Sequence, residues 1–543
     1  DHVSIGMECF EVIQNSISRN DKDKPFIYKN RRILIAKVDI GAYGENASII
    51  DADGDVSMLA GDPLLLSENP SVSRGREKDL EELHYAWKND KWAILERARG
   101  VFCAVHFSPS KAKLTLISDK LCIRPLYYFF NYEYVFFATA LRILEVLPFF
   151  DKFMDLRAVV EITTLGYPLG TRTPYANAFL LKPAEVVQFS ESSQQNFQYF
   201  RWDSITSIGK PEDDLLSEAY NRFSSAIECR LCADKSTISF LSGGLDSRCI
   251  ISELRRQGIE VFTFNFYVPN SQDQAFSDAF AAHSGTIHSQ DLLGIGTSLS
   301  HMISSALANS SFPSLKNIER PQLIWSGDGG SVGVGHIYLS EDMVDSLRNG
   351  DPSQAINYFI EQQQAIILSR LFKPNVLSSL GGAISLGLQE ELKKISCEDP
   401  GRNLHVFLML NDQRRHLFQH FEDIDLHRIE LHLPFFDSRF LEWILACPTD
   451  LMLRHRFYVK WLNLFPPSAV SVPWQSYPGH EPCPLPIPDG LYSQWNQLKN
   501  PYSKRRNIAK KKLALQAATD ILKFDNFPSE ILDRRWLVIS IWL

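Results

Sequence analysis

Neither the pattern of a signal peptide nor an apolar run long enough for a membrane span is visible in the sequence. The first twenty residues, DHVSIGMECFEVIQNSISRN, mix acidic with polar residues, whereas a secretory signal has a basic start followed by an apolar run. No apolar stretch reaches the length that spans a bilayer, and the apolar tail Trp536 to Leu543 is far too short. We therefore predict a soluble, cytoplasmic protein. The chain begins at Asp1 and not at Met, so the question whether residues precede Asp1 in the native chain stays open.

Neither charge nor cysteine is concentrated in this sequence. The 56 Lys and Arg residues stand against 64 Asp and Glu, which gives a formal charge of −8 and no overall attraction to nucleic acid or to an anionic membrane. The nine cysteines have no repeating spacing, and the close pair Cys229 and Cys232 falls in a predicted helix. This usage favours a reducing compartment and structural cysteines.

The length and the patterns of the chain predict two large domains. Its 543 residues exceed what one hydrophobic core usually organises. From about Arg31 to Phe200, short β-rich runs such as ILIAKVDI, GVFCAVHF and AEVVQF alternate with turns, which predicts an α+β domain of sandwiched sheets. The pattern changes near Pro211. We therefore predict one domain at residues 1–205 and a second at residues 206–543.

The second domain is predicted to be α/β, with a doubly wound parallel sheet and helical additions. An amphipathic helix between Pro211 and Cys232 precedes the strand STISFL, a glycine turn, a helix from about Arg248 to Gln257 and the strand VFTFNFY. This order is a βαβ unit. Helical stretches then dominate from about Asp342 to Pro448.

Two biased segments follow the helical region. Eight prolines between Pro466 and Pro488 exclude regular helix or central strand and predict a long ordered loop or lid. A basic run follows it and consists of Lys504, Arg505, Arg506, Lys510, Lys511 and Lys512. It is predicted to be a solvated helix face, and the alternative is a surface that binds an anionic substrate or partner.

The segment from Ser242 to Ser247, SGGLDS, carries the clearest chemical signal. It follows a predicted parallel strand and opens a helix, which is where open α/β sheets bind ligands. Two glycines let the backbone approach a phosphate, and the helix N-terminus and the serine hydroxyls offer hydrogen-bond donors. Asp246 would repel phosphate unless it holds a Mg²⁺ that bridges phosphate oxygens. The segment therefore predicts a site for phosphate and Mg²⁺.

This segment resembles the pyrophosphate loop of the N-type ATP pyrophosphatases, specifically that of the asparagine synthetase superfamily. Further matches lie in the second domain: Phe262-Thr263-Phe264 is similar to the strand that reads adenine, Ser326-Gly327-Asp328-Gly329-Gly330 to the second glycine loop, and Leu433-Pro434-Phe435-Phe436-Asp437 to the late PFLD segment. In the first domain, matches to the glutaminase-like fold are Gly61-Asp62-Pro63, Gly100-Val101-Phe102 and Asp119 through Tyr128, with Cys122 where a glycine is usual.

The resemblance implies an ATP site and roles for named residues. ATP would be bound by Ser242, Gly243, Gly244, Leu245, Asp246, Ser247, Phe264, Ser326, Gly327, Asp328 and Gly329. Asp246 and Asp328 would place Mg²⁺. Lys460 would face the α-phosphate and pyrophosphate, where an ammonium stabilises the charge of the transition state. His288 is predicted to pack, and Asp437 to cap or pair structurally.

Two departures from the family change the prediction. The family's glutaminase needs a cysteine whose own α-amine is the base, but this chain starts with Asp1 and Cys9 is internal. We therefore predict a retained glutaminase-like sandwich of the N-terminal-nucleophile type without its nucleophile, as in β-lactam synthetases and lasso-peptide cyclases. Ser331 stands where an aspartate is usual, which would weaken a Mg²⁺ site unless Asp328 compensates.

Two functions follow as hypotheses. One is an AMP-forming ligase that adenylates a carboxylate and transfers it to an amine without glutamine hydrolysis, including an intramolecular lactam or macrolactam cyclase. Its partners would be a small molecule or peptide with carboxylate and amine, with ATP and Mg²⁺ as cofactors. The other is a nucleotide-binding scaffold or sensor without turnover. The identity of the substrates and the oligomeric state stay open.

Overall fold

The structure is a computed structural model that describes residues 2–66, 75–130, 133–191, 193–292, 318–365, 371–493, 515–523 and 528–542. Asp1 and the basic run from Lys504 to Lys512 lie outside the described residues. In the described ranges, no helix is both long and apolar enough to cross a lipid bilayer.

Short antiparallel strands make up most of the first 200 residues, as the alternating sequence predicts. The strands are β1 Phe26–Lys29, β2 Leu34–Lys37, β3 Ser48–Ile50, β4 Val56–Gly61, β5 Phe102–Ser108, β6 Lys113–Ser118, β7 Tyr127–Phe130, β8 Val135–Ala138, β9 Phe179–Leu180, β10 Glu185–Phe189 and β11 Gln194–Gln198. The helices are His2–Ser16, Arg76–Lys88, Leu141–Glu145 and Leu156–Leu165, with 3₁₀ turns at Trp92–Arg97 and Trp202–Ser204.

A six-stranded sheet in the order β11-β10-β6-β5-β4-β3 separates two hydrophobic cores. Leu59 of β4 packs on one face with Trp87 of the helix Arg76–Lys88. Its neighbour Met58 packs on the other face, in the core shared with the three-stranded sheet β8-β7-β9. Successive side chains of a strand point to opposite faces, so one strand contributes to both cores. The sandwiched α+β layers agree with the prediction.

Five strands form the sheet of the second part: β12 Ser236–Phe240, β13 Glu260–Tyr267, β14 Ile287–Leu292, β15 Leu323–Trp325 and β16 Glu430–His432. Their order is β14-β13-β12-β15-β16, and every neighbouring pair is parallel. The chain moves outward from β12 to β14 and then returns to β15 and β16 on the other side. The strand order therefore reverses between β12 and β15, which confirms the predicted doubly wound sheet and marks where such sheets bind ligands.

Helices cover both faces of this sheet, and Val261 and Phe262 of β13 belong to opposite cores. The predicted helical region is confirmed. The α-helices of the second part are Glu212–Leu231, Asp246–Arg256, Gln272–Ser284, Gly330–Gly333, Glu341–Arg348, Pro352–Gln362, Pro374–Leu380, Ala383–Leu392, Asn403–Leu408, Arg414–His416, Phe418–Glu422, Ile424–His427, Ser438–Ala446, Thr449–Met452, Arg456–Leu462 and Arg534–Trp542. The segment Met409–Gln413 is a π-helix, and 3₁₀ turns lie at Pro400–Arg402, Pro434–Phe436, Leu453–His455 and Pro467–Ala469.

Buried ion pairs join the two parts of the chain. Arg124 contacts Glu430 of β16 at 2.6 Å, and Arg99 contacts Asp437 at 2.7 Å. Asp437 also pairs with Arg230 at 2.8 Å and caps the helix Ser438–Ala446. The prediction of a structural role for Asp437 is confirmed, because a buried carboxylate needs such partners.

One departure from the family has a conformational consequence. Cys122 stands where a glycine is usual, and its φ is 54°, in the left-handed region. Glycine populates this region without strain, whereas a residue with a Cβ does not. Cys122 therefore adopts the left-handed backbone conformation that glycine favours, although it carries a Cβ.

Candidate functional site

Two glycine-containing loops meet at the point where the strand order reverses. Ser242–Ser247 follows β12 and leads into the helix Asp246–Arg256, and Ser326–Gly330 follows β15. A Cβ added to Gly327 would lie 2.9 Å from Cβ of Asp246, and one added to Gly330 would lie 2.5 Å from its Cγ. Only glycine permits such an approach. The second loop is therefore built closely around the Asp246 side chain.

The carboxylate of Asp246 is held by donors from two other elements. Tyr458 donates its hydroxyl to Oδ1 at 2.6 Å. Ser331 donates its hydroxyl to Oδ2 at 2.8 Å and its N–H at 3.1 Å. Burial nevertheless raises the pKa of Asp246 to about 6. Ser331 stands where the resemblance implies an aspartate. Its two donors occupy lone pairs of the Asp246 carboxylate.

Asp328 has partners of its own. The Ser326 hydroxyl donates to its Oδ2, and Nε2 of His416 lies 3.2 Å from its Oδ1. Burial alone would raise the pKa of Asp328, but the hydrogen bond and charge of His416 hold it below the ordinary value.

The predicted Mg²⁺ ligands Asp246 and Asp328 are near enough for the charge of Asp328 to raise the pKa of Asp246. They border different cavities, and donors of the chain already contact both carboxylates. Within the described ranges, no group of three or more His, Cys, Asp and Glu side chains is arranged to hold a metal. Mg²⁺ is usually held by one or two carboxylates together with substrate phosphates, and Ser331 here supplies a hydrogen-bond donor to Asp246 and no further carboxylate.

The donors of the SGGLDS loop also have partners within the chain. The Gly243 N–H donates to Oδ1 of Asp273 at 2.7 Å. The Ser242 N–H donates to the Ser247 hydroxyl at 3.0 Å, and the Gly244 N–H donates to the Ser242 hydroxyl at 3.2 Å. A phosphate group that enters this loop has to replace the Asp273 carboxylate at Gly243.

The proline-rich segment covers the loop, which confirms the predicted ordered loop. The Gln475 N–H donates to the Gly243 carbonyl at 3.0 Å. Between the segment and the loop lies a cavity of about 170 Å³, and its lining includes Gly244, Leu245, Asp246, Asp273, Ser331, His455, Trp474, Gln475, Tyr477 and Glu481. The buried guanidinium of Arg248 holds the segment in place by donating to the carbonyls of Ala469, Val472 and Pro473 at 2.6–3.1 Å.

A larger cavity of about 540 Å³ opens on the other side of Ser242, beyond the carboxyl ends of the strands. The predicted residues Ser242, Phe264, Ser326 and Asp328 line it. Phe240, Phe266, Asn265 and Asp273 add to the wall formed by the sheet. The opposite wall comes from the helical region and includes His416, Gln419, His420, Asp423, Leu426 and His427.

Sequence reasoning missed this helical wall. It belongs to a helical stretch without a recognisable motif. The only available signal was the spacing of His416 and His420, which are four residues apart and therefore share one side of a continuous helix.

Ser247, Gly329 and His288 are packed against neighbouring elements of the site. Ser247 is buried and accepts from Ser242. Gly329 has a φ of 89°, and a Cβ there would lie 2.7 Å from the Phe436 ring. His288 bonds Thr263 at 2.8 Å through Nδ1, and burial lowers its pKa, as befits a packing histidine.

Lys460, which is predicted to face the phosphates, does not line either of the two cavities beside the SGGLDS loop. Its neighbour Val459 lines the smaller cavity, but Lys460 lies one residue further along the helix Arg456–Leu462 and points to another side. Its Nζ contacts both carboxylate oxygens of Glu212 at 2.8 Å. No lysine and no arginine is found among the described residues that line either cavity.

The cysteines of the first part are poorly suited to nucleophilic attack. Cys9 lies inside the helix His2–Ser16 and is buried, and burial together with Glu8 raises its pKa. Burial raises the pKa of Cys103 and of Cys122 to about 12. A reactive cysteine has a lowered pKa, since the thiolate is the nucleophile. An adjoining cavity of about 220 Å³ is lined mainly by apolar residues such as Ile13, Met58 and Leu144.

Comparison with known proteins supports both halves of this description. A glutamine amidotransferase domain matches residues 73–200, and an asparagine synthase domain matches residues 218–309. The chain is 24% identical over 179 residues to asparagine synthetase (glutamine-hydrolysing) 3 of Bacillus subtilis, which covers 32% of this chain and 28% of that protein. It is 24% identical over 216 residues to asparagine synthetase (glutamine-hydrolysing) 1 of the same organism, covering 38% and 32%.

A third relative is the putative asparagine synthetase (glutamine-hydrolysing) 2 of Methanocaldococcus jannaschii, with 26% identity over 197 residues, 35% of this chain and 38% of that protein. The matched segments thus span about a third of the length of these relatives. The two domain matches and these relatives support a place in the asparagine synthetase superfamily.

Proposed function

We propose that the chain is an ATP-dependent ligase that adenylates a substrate carboxylate and transfers the acyl group to an amine. The observation that carries this proposal is the meeting of the two glycine loops beside a 540 Å³ cavity at the reversal of strand order. This volume lies within the usual range of small-molecule sites. It leaves room for substrate groups next to the loop that would hold the phosphates.

The proposed reaction has two steps. A carboxylate oxygen attacks the α-phosphorus of ATP, and pyrophosphate leaves with the electrons of the broken P–O bond. The amine nitrogen then attacks the acyl carbon, AMP leaves with the electrons of the C–O bond, and the nitrogen loses a proton. Adenylation helps because it turns a carboxylate oxygen into a good leaving group.

The chain's own residues would bind and orient the reactants. Ser242, Gly243, Gly244, Leu245 and Ser247 would receive the phosphates at the start of the helix Asp246–Arg256 once Asp273 has been displaced. The strand around Phe264 would hold the adenine. The loop from Ser326 to Gly329 fixes the position of Asp246 from the other side.

We further propose that the first domain does not hydrolyse glutamine. The support is the state of its described thiols: Cys9, Cys103 and Cys122 are buried, and each has a raised pKa. We expect no release of glutamate from glutamine over hours at high protein concentration. Release that disappears in a Cys9→Ala variant would restore glutamine as the nitrogen donor.

A nucleotide-binding protein without turnover is the second candidate. It is favoured by the contacts of Ser331, whose hydroxyl and N–H both donate to the Asp246 carboxylate at the position where the resemblance implies a further aspartate. Exchange of labelled pyrophosphate into ATP, tested with pools of carboxylic acids, separates the two functions. Exchange that depends on a carboxylate supports the ligase, whereas ATP binding without exchange in any pool supports the second candidate.

A further inference from the structure

One layer of the first domain consists of two separate small sheets. Strands β1 and β2 form one of them, and β8, β7 and β9 form the other. Ile35 of β2 and Phe129 of β7 both belong to the hydrophobic core on one face of the six-stranded sheet. The two small sheets therefore lie over the same face of that sheet, although no strand joins them in the part of the chain that the structure describes.

The strands β2 and β8 border the same cavity. Residues 34–38 and residues 135–139 all line the cavity of about 220 Å³ in the first domain. Successive residues of a strand point to opposite faces, so a run of consecutive lining residues means that the cavity lies along the edge of the strand. The cavity is therefore a slot between two strand edges.

The backbone along these two edges is unpaired within the described ranges. β2 pairs with β1 alone, β8 pairs with β7 alone, and no further backbone hydrogen bond from either strand is found among the described residues. In an antiparallel strand, every second residue directs its N–H and C=O away from the paired strand. The side chains of both strands are buried or half-buried. Unpaired backbone groups in such a place are a template for a further strand.

The floor of the slot is apolar. Met58 and Ala60 of β4 lie opposite Val105 and Cys103 of β5 in two cross-strand pairs, and all four line the slot. Further apolar residues complete the lining, namely Ile13, Ile17, Leu144 and Leu147. A strand in the slot would therefore contact apolar groups with its side chains.

The charged residues that line the slot already have partners. The pairs are Lys37 with Asp39 at 2.7 Å, Arg142 with Asp425 at 3.2 Å and Glu422 with Tyr127 at 2.6 Å. The occupant therefore needs no charge of its own. A small apolar molecule would match the walls but leave the backbone of both edges unpaired, whereas another polypeptide backbone supplies N–H and C=O groups together with apolar side chains.

We propose that this slot is the docking site for an extended apolar segment of a partner polypeptide, which binds by strand addition between β2 and β8. About five residues match the length of the two edges. The segment pairs with one edge on each side and joins the two small sheets into a single sheet of six strands, as many as in the sheet opposite. This binding does not depend on the proposed ligase reaction.

The test measures the binding of a labelled peptide to the whole chain by fluorescence anisotropy. The peptide has five alternating valine and alanine residues, and a lysine at each end keeps it soluble. Its control has the same side chains, but its three valine nitrogens are methylated, which removes the donors along one edge. We expect the control to bind at least about tenfold more weakly. Equal affinities, or no binding of the unmodified peptide, would overturn the proposal.

Hydrogen exchange locates the bound peptide. Binding should slow the exchange of backbone amides in residues 34–38 and in residues 135–139 at least about fivefold, because both edges gain acceptors. The strand β11, an exposed edge of the six-stranded sheet, is the internal control and should not change. Equal protection of β11, or protection of only one of the two slot edges, would contradict insertion between β2 and β8.

A variant pair tests the slot itself. Ala60→Leu fills the floor of the slot, whereas Ala60→Cys leaves it nearly open. The first variant should weaken the peptide at least about tenfold, and the second should change its affinity by less than about twofold. Thermal unfolding without peptide shows whether both variants fold, and the two peptides decide the question on the parent chain if Ala60→Leu does not. An unchanged affinity in folded Ala60→Leu would overturn the proposal.

Discussion

At the scale of single residues, Ser331 determines how the Asp246 carboxylate is used. Its hydroxyl and N–H both donate to Asp246, whereas a second carboxylate there would give two adjacent acidic side chains. Ser331→Asp should therefore lower stability without divalent cations and create a Mg²⁺ site. Thermal unfolding with and without MgCl₂ measures this. Ser331→Asn is the matched control, and an equal Mg²⁺ response of the two variants would refute the prediction.

Lys460 is a residue for which structure and sequence give different expectations. Because its ammonium contacts Glu212 on the protein surface, Lys460→Ala should leave pyrophosphate exchange within about twofold and cost under about 1 kcal/mol of stability. A large loss of exchange rate at unchanged ATP affinity in Lys460→Ala would instead restore the phosphate contact predicted from the sequence.

Asp246→Asn should abolish pyrophosphate exchange, since an amide nitrogen would face the Ser331 donors.

At the scale of elements, Arg248 joins the helix after the first glycine loop to the proline-rich segment. Arg248→Met leaves three carbonyls without their donor and should lower the free energy of unfolding by about 3 kcal/mol or more. Chymotrypsin should also cleave faster after Trp474, which is buried in the parent and is followed by Gln475. Arg256→Met, on the same helix but half-exposed, should cost under about 1 kcal/mol. Similar losses in both variants would contradict a specific anchor.

The same elements show which parts of the fold and of the site could be predicted from the sequence. The βαβ pattern around Ser242 predicted the parallel sheet and the place of its ligand site, because local periodicity and a glycine turn fix both. The helical wall with His420 was not predictable, since short helices broken at Leu417 and Asp423 leave no sustained period. The pairing of Lys460 with Glu212 was not predictable, because a motif gives a position along a helix whereas this pairing depends on tertiary contacts.

At the scale of the whole molecule, buried neutral histidines predict sensitivity to acid. Burial lowers the pKa of His405 and His455 to about 3 and of His106 and His420 to about 4. Below the ordinary value of 6.5 the unfolded chain binds more protons than the folded one, so stability falls as the pH falls. Asp246 and Asp119, with pKa values raised to about 6, act in the opposite direction but with smaller shifts.

His405 provides the direct check of this pH dependence. Neither of its ring nitrogens has a partner within the described part of the chain, and its ring stacks on His336 at 3.7 Å. His405→Phe keeps the stack and removes the proton site. Urea unfolding should show that the variant loses about 2 kcal/mol less than the parent between pH 7 and pH 5. Parallel stability profiles would show that His405 does not carry the effect.

The central claim is that the site transfers AMP to a carboxylate, and isotope transfer tests it most directly. A carboxylic acid found by pyrophosphate exchange is labelled with ¹⁸O in both oxygens and converted with ATP and an amine. The account predicts one ¹⁸O in the phosphate of AMP and none in pyrophosphate, because the carboxylate oxygen attacks the α-phosphorus and stays there when the amine displaces AMP. Unlabelled AMP, or label in inorganic phosphate, would contradict it.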